Sequence, residues 1–88
     1  MIWQIDPSPS AQRDLNQVPP RIGPSLLEFI YAGIAENPQR RKKALRGPML
    51  GVWSAQRGDY RVLYRIDETT RTVHVLRVAG RGIAYRAL

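Results

Sequence analysis

Apolar and polar positions change period several times along the chain, and each change marks an element. From Met1 to Asp6 they alternate, with Ile2, Gln4 and Asp6 on one side and Trp3 and Ile5 on the other. A period of two predicts a short first strand over residues 1–6. Pro7 and Pro9 end it. Ser8 is placed to cap a helix whose first position is Pro9, where a missing N–H has no intrahelical partner to lose. Ala11, Leu15 and Val18 then share one side, which predicts a helix from Pro9 to Gln17, stopped by Pro19-Pro20. A second apolar stripe follows at helical spacing: Ile22, Leu26, Phe29, Ile30, Gly33 and Ile34. It predicts a helix from Arg21 to Glu36. Pro24 fits only its first turn, which fixes the start near Ile22 or Gly23, and Asn37-Pro38 closes it because the residue before proline avoids the α region.

Residues 38–50 read as a connection. After it the period returns to two. Residues 51–66 form two short strands joined by a tight turn at Arg57-Gly58-Asp59, where glycine supplies positive φ and aspartate can bond its own backbone. On the second of these strands Tyr60, Val62, Tyr64 and Ile66 point one way, and Arg61, Leu63 and Arg65 the other. One face suits a core; the opposite face carries guanidinium groups. Asp67 to Arg71 make a polar turn. Thr72 to Val78, rich in β-branched residues, read as a central strand that Gly80 and Gly82 break. The order β-α-α-β-β-β gives an α+β fold: a helical hairpin packed on one face of a small, mainly antiparallel sheet. At 88 residues this is one domain, residues 1–88.

Charge sharpens the functional picture. Fourteen Lys and Arg against seven Asp and Glu give a net charge of +7 and a pI of about 10.8. Such a field draws in polyanions, nucleic acid first and an acidic protein next. Twelve of the fourteen cations are Arg, the residue that forms planar, bidentate contacts with phosphate. Arg40, Arg41, Lys42, Lys43 and Arg46 place five of them within seven positions, just before the arginine-faced hairpin. With Arg57 and Arg65 they form the candidate nucleic-acid-binding set. The chain has no cysteine, hence no disulfide and no thiolate metal site. Neither a signal peptide nor a run of about 20 apolar residues is present, so a cytoplasmic location without membrane contact is expected.

No metal-ligand cluster and no cofactor motif occur in the sequence; His74 is its one histidine, set among valines. What remains is arginine plus tyrosine. Arg61 lies on the polar face of the hairpin, Arg81 follows the last strand, and Tyr85 comes four residues later. Cleavage of RNA by its own 2′-hydroxyl needs a base, cations for the pentacoordinate phosphate, and help for the departing 5′-oxygen. A tyrosine whose pKa is lowered by guanidinium groups can serve as the base. The residues alone leave this open beside a plainer arrangement, with Tyr85 packed on the sheet and the arginines as surface charges.

The element order, Leu45-Arg46-Gly47, the Gly51-x-Trp53 opening, the run from Gly58 to Asp67 and the closing Arg81-x3-Tyr85 together resemble the RelE/ParE superfamily of bacterial toxins, in its RelE branch. The resemblance covers essentially the whole chain. It implies a ribosome-dependent mRNA endoribonuclease of a type II toxin–antitoxin system, needing no metal and no cofactor. Its partners would be the 70S ribosome, mRNA, and an acidic antitoxin that forms a hetero-oligomer with it. Arg61 then matches the hairpin arginine at the scissile phosphate, Arg81 the arginine after the last strand, and Tyr85 the general base. Active members carry Lys or Arg at two alternating positions of the first hairpin strand, where this chain has Ser54 and Gln56. Two further expectations stand beside the first: a ParE-like toxin that poisons gyrase, and a basic module acting with its antitoxin as co-repressor.

Overall fold

Alternation along residues 60–67 puts the side chains of Val62 and Tyr64 out of reach of solvent, with Tyr60 and Ile66 packed beside them. The computed structural model describes residues 2–39, 43–45 and 50–80. It builds a five-stranded mixed sheet around this strand. The strands are β1 (Gln4–Pro7), β2 (Lys43–Ala44), β3 (Trp53–Arg57), β4 (Tyr60–Asp67) and β5 (Thr72–Gly80), in the spatial order β1-β5-β4-β3-β2. Only β1 runs parallel to its neighbour, β5; the other pairs are antiparallel. Helix α1 (Pro9–Gln17) and helix α2 (Gly23–Glu28), which continues through a π-helical segment at Phe29–Ile34, supply Ala11, Leu26, Ile30 and Ile34 to the core. This is the α+β arrangement that the sequence pattern predicts.

Several details differ from that pattern. The connection over 38–50 contains β2, a two-residue strand that pairs Lys43 with Ser54 and Ala44 with Trp53. Two residues are too few to show a period. The last strand runs on to Gly80, which pairs with Tyr60 and does not break it. The first strand begins at Gln4, not at residue 1. Ile30 and Ile34 are buried as the helical count requires, but the hydrogen bonding over Phe29–Ile34 widens to a π-helix, which apolar spacing does not encode.

The face of the sheet away from the helices is also less polar than alternation suggests. Leu45, Val52 and Leu63 form a second, smaller buried cluster there, flanked by Leu76 and Ala79. A β-bulge explains the placement of Leu76. Leu63 pairs with Arg77 while Tyr64 pairs with Val75, so Leu76 is the extra residue of β5.

β1 covers the outer edge of β5 only as far as Val75. Helix α1 closes what lies beyond. Ser8 caps that helix by accepting a hydrogen bond from the Ala11 N–H, and its hydroxyl donates to the Leu76 carbonyl at 2.9 Å. One turn on, the Asp14 carboxylate accepts the Val78 N–H at 2.9 Å. The cap that starts α1 therefore also satisfies a strand edge that would otherwise invite pairing.

Two turns join the long strands. Gly58 (φ 60°) is the first of two loop residues between β3 and β4, and Asp59 keeps a negative φ, which fits a type II′ hairpin. Between β4 and β5, Asp67 Oδ1 accepts the Thr69 and Thr70 N–H groups and Arg71 takes φ 53°. The Arg71 guanidinium then lies 4.6 Å from the centre of the Trp3 ring, tying this turn to the start of β1.

Candidate functional site

Cross-strand partners share a face of a sheet, so register decides which arginines lie together. Arg61 on β4 is in register with Gln56 on β3 and with Ala79 on β5. Its side chain emerges on the helix-free face and is half-buried beside the Leu63 cluster. Nη1 of Arg61 donates to Ser54 Oγ at 3.3 Å, and Ser54 is itself only 2% exposed. Gln56 is exposed, and its amide bends back to donate to the Gly58 carbonyl at 3.0 Å. Both positions where the resemblance calls for cations therefore do lie on the face of Arg61, carrying a hydroxyl and an amide.

Arg65 is exposed four positions along β4 from Arg61, next to Gly51. At Gly51 φ is 88°, and a Cβ there would sit 2.8 Å from Arg65 Nη1. Glycine is what lets the chain turn into β3 beneath this guanidinium.

Arg57 does not belong to this surface. It pairs with Tyr60, whose side chain packs on the helix-side core, and its Nε donates to Ser25 Oγ of α2 at 3.2 Å. The reason is parity: Arg57 is one residue from Gln56, and a one-residue step along a strand changes faces. Within the candidate nucleic-acid-binding set, Arg57 and Arg65 thus lie on opposite faces of the sheet. Arg57, with Arg21, Ile22, Ser25 and Tyr60, instead lines an open groove of about 460 Å³ at the hairpin tip, between the tip and α2.

Other candidate residues fall outside the described residues: Arg40, Arg41, Lys42 and Arg46 of the basic run, and Arg81 and Tyr85 of the catalytic set. Lys43 is described by its backbone alone, in register with Ser54. The described part of β5 ends at Gly80, one position before Arg81. Arg61 is in register with Ala79, two positions before it.

The profile of the ParE toxin of type II toxin–antitoxin systems matches residues 5–85. The chain belongs to the RelE/ParE superfamily of toxins. It is 46% identical over 77 residues to Toxin RelG of Mycobacterium tuberculosis, covering 88% of each chain. Toxin RelE of the same organism is 40% identical over 77 residues, covering 88% of this chain and 79% of the relative. Among solved structures, a RelBE toxin–antitoxin complex from M. tuberculosis superposes with a TM-score of 0.88 at 41% identity, covering 92% of this chain and all of that one. The isolated RelE toxin of E. coli, at 15% identity, has the same fold with a TM-score of 0.75.

On this toxin fold the ionisable groups sort by environment. Burial would raise the Asp14 carboxyl, but the Arg77 hydrogen bond, the Val78 N–H and the charges of Arg77 and Arg13 together hold it below its ordinary value. Asp67 is also held low, chiefly by the Thr70 N–H. Burial pushes the Tyr64 hydroxyl far up, and it donates to the Pro38 carbonyl. Tyr64 is thereby fixed as a protonated donor and is unsuited to act as a base. Arg77 is committed to Asp14 and adds little to a phosphate-binding surface. His74 is a surface residue, its Nδ1 3.2 Å from Asp6 Oδ2 across the parallel β1–β5 pair. Sequence reasoning missed two features: the bond between Arg61 and Ser54, and the tip groove with Arg21 and Tyr60. Cross-strand register carries the first, and the hairpin's own count gives that register once the turn is placed.

Proposed function

We propose that this toxin is a ribosome-dependent endoribonuclease that cuts mRNA during translation. The observation that carries the reading is the placement of Arg61. It is a half-buried guanidinium on the helix-free face of β4, in register with the strand that leads directly to Arg81. A guanidinium rooted in a rigid sheet can meet the charge that develops on a pentacoordinate phosphate without first reorganising. Arg61 and Arg81 would stabilise that phosphate while Tyr85 accepts the 2′-hydroxyl proton. The names of the relatives at 46% and 40% identity, RelG and RelE, support the RelE branch.

Its partners, on this reading, are the 70S ribosome, mRNA and an antitoxin, acidic so as to complement the +7 charge, as the RelBE relative is found in complex with its own antitoxin. Its place of action is the cytoplasm. The basic run at residues 40–46 and Arg65 would contact ribosomal or messenger RNA. The +7 charge favours rapid encounter with both RNA and an acidic antitoxin. Induced expression should yield transcripts cut inside codons, and Arg61→Ala combined with Arg81→Ala should abolish the cuts.

A second reading has its own observations. The matching family profile is that of ParE, and Ser54 and Gln56 stand where cations would assist cleavage. A gyrase poison needs no such cations. Intact transcripts together with a rising DNA-damage response would favour this reading and end the first. A chain that is harmless when expressed alone would instead point to a co-repressor that works only with its antitoxin.

A further inference from the structure

Ser54 lies diagonally across the β3–β4 ladder from Arg61. Its direct partners are Leu63 on β4 and Lys43 on β2, so its backbone is held between two strands. With 2% of its surface exposed, its hydroxyl cannot follow the arginine outward. Arg61 Nη1 donates to that hydroxyl at 3.3 Å. A guanidinium is a planar fork on a long, rotamer-rich stem, so one fixed point at Nη1 restricts the direction in which the whole plane faces.

We infer that Ser54 is a positioning residue whose buried hydroxyl aims the Arg61 guanidinium toward the phosphate. The hold itself follows from the geometry, and its consequence for rate rests on the ribonuclease reading. Ser54 adds no charge to the site. Its contribution is order: an arginine already pointing along the reaction coordinate loses less freedom when the transition state forms. Such an effect acts on the chemical step more than on binding of the ribosome, which a broad basic surface governs.

Two measurements on the full chain test this. The first is 15N relaxation of the Arg61 side-chain Nε–H in the wild type and in Ser54→Ala, a substitution small enough to leave the strand pairing intact. Arg61 should become more mobile in the variant while the backbone amides of β3 and β4 stay unchanged. The second is cleavage of mRNA on programmed ribosomes, where Ser54→Ala should lower kcat about tenfold with little change in KM. Adding Ser54→Ala to Arg61→Ala should cost nothing further. Unchanged Arg61 mobility overturns the inference, as does an undiminished kcat or an additive double variant. If the wild type cuts no transcript, the ribonuclease reading fails by itself. The relaxation data still decide whether Ser54 holds Arg61.

Discussion

Asp14 and Arg77 meet at two points across the junction of α1 and β5: Nε donates to Oδ2 at 2.8 Å and Nη2 to Oδ1 at 3.0 Å. Oδ2 also accepts the Val78 N–H, so one carboxylate joins a helix to a strand edge that β1 leaves uncovered. Its side chain is only 12% exposed. Replacement by Asn keeps the shape but gives up the charge-assisted bonds, and should cost about 2 kcal/mol. Urea unfolding at neutral pH measures this.

The same contact makes stability depend on acid. Because the folded-state pKa of Asp14 lies below its unfolded value, the contribution is complete above the unfolded value of about 3.9 and is lost as pH falls through the folded one. The wild type and Asp14→Asn should therefore differ most near neutrality and converge as pH falls through the lowered folded-state pKa. A constant difference across that range would show that Asp14 acts by packing and not through its charge.

Tyr64 offers a case in which an aromatic ring does two jobs. It is fully buried in the main core, and its hydroxyl satisfies the carbonyl of Pro38, a residue also inaccessible to solvent. Tyr64→Phe keeps the ring and strands the carbonyl, a loss of about 1–3 kcal/mol. The Tm should fall by several degrees, with the far-ultraviolet spectrum unchanged.

The hairpin turn isolates backbone strain from packing. Gly58 has φ 60°, and a Cβ built there meets nothing within 4 Å. Gly58→Ala should cost about 1 kcal/mol from the left-handed conformation alone. Gly51→Ala should cost a similar amount, because its φ of 88° carries comparable strain and the exposed Arg65 guanidinium, 2.8 Å from an added Cβ, can swing away. A much larger loss at Gly51, measured by urea unfolding, would mean that the Arg65 guanidinium is held in place.

These sites also show which features the chain spells out in advance. Period-two alternation from Tyr60 to Ile66 gave the core face of β4 directly, and the Pro9 and Pro24 positions marked both helix starts, because local sterics alone decide them. The Asp14–Arg77 contact spans 63 residues, and no local pattern encodes it. It depends on β5 bulging at Leu76 and on α1 lying against that edge. The opposite facing of Arg57 and Arg65 is, by contrast, legible in the sequence, because strand parity alone separates them. The parallel β1–β5 pairing is a matter of topology, invisible until the helices carry the chain across the sheet.

That separation of faces gives the most direct test of the site. Arg61 and Arg57 are four positions apart in one hairpin, of equal charge, and on opposite sides of the sheet. Loss of a preorganised donor to a developing oxyanion costs about 10²–10³ in rate. On the proposed ribonuclease reading, Arg61→Ala should therefore lower the cleavage rate on programmed ribosomes by at least about a hundredfold. Among the described residues Arg57→Ala breaks a bond to Ser25 on the helix side, and it should keep the rate within about threefold, since a surface charge far from the phosphate acts mainly through weak, salt-screened steering. Raising the salt concentration should diminish the small Arg57 effect and leave the Arg61 effect in kcat. Comparable losses from the two substitutions would mean that RNA engages the helix side of the hairpin, and would move the site to the groove lined by Arg21, Arg57 and Tyr60.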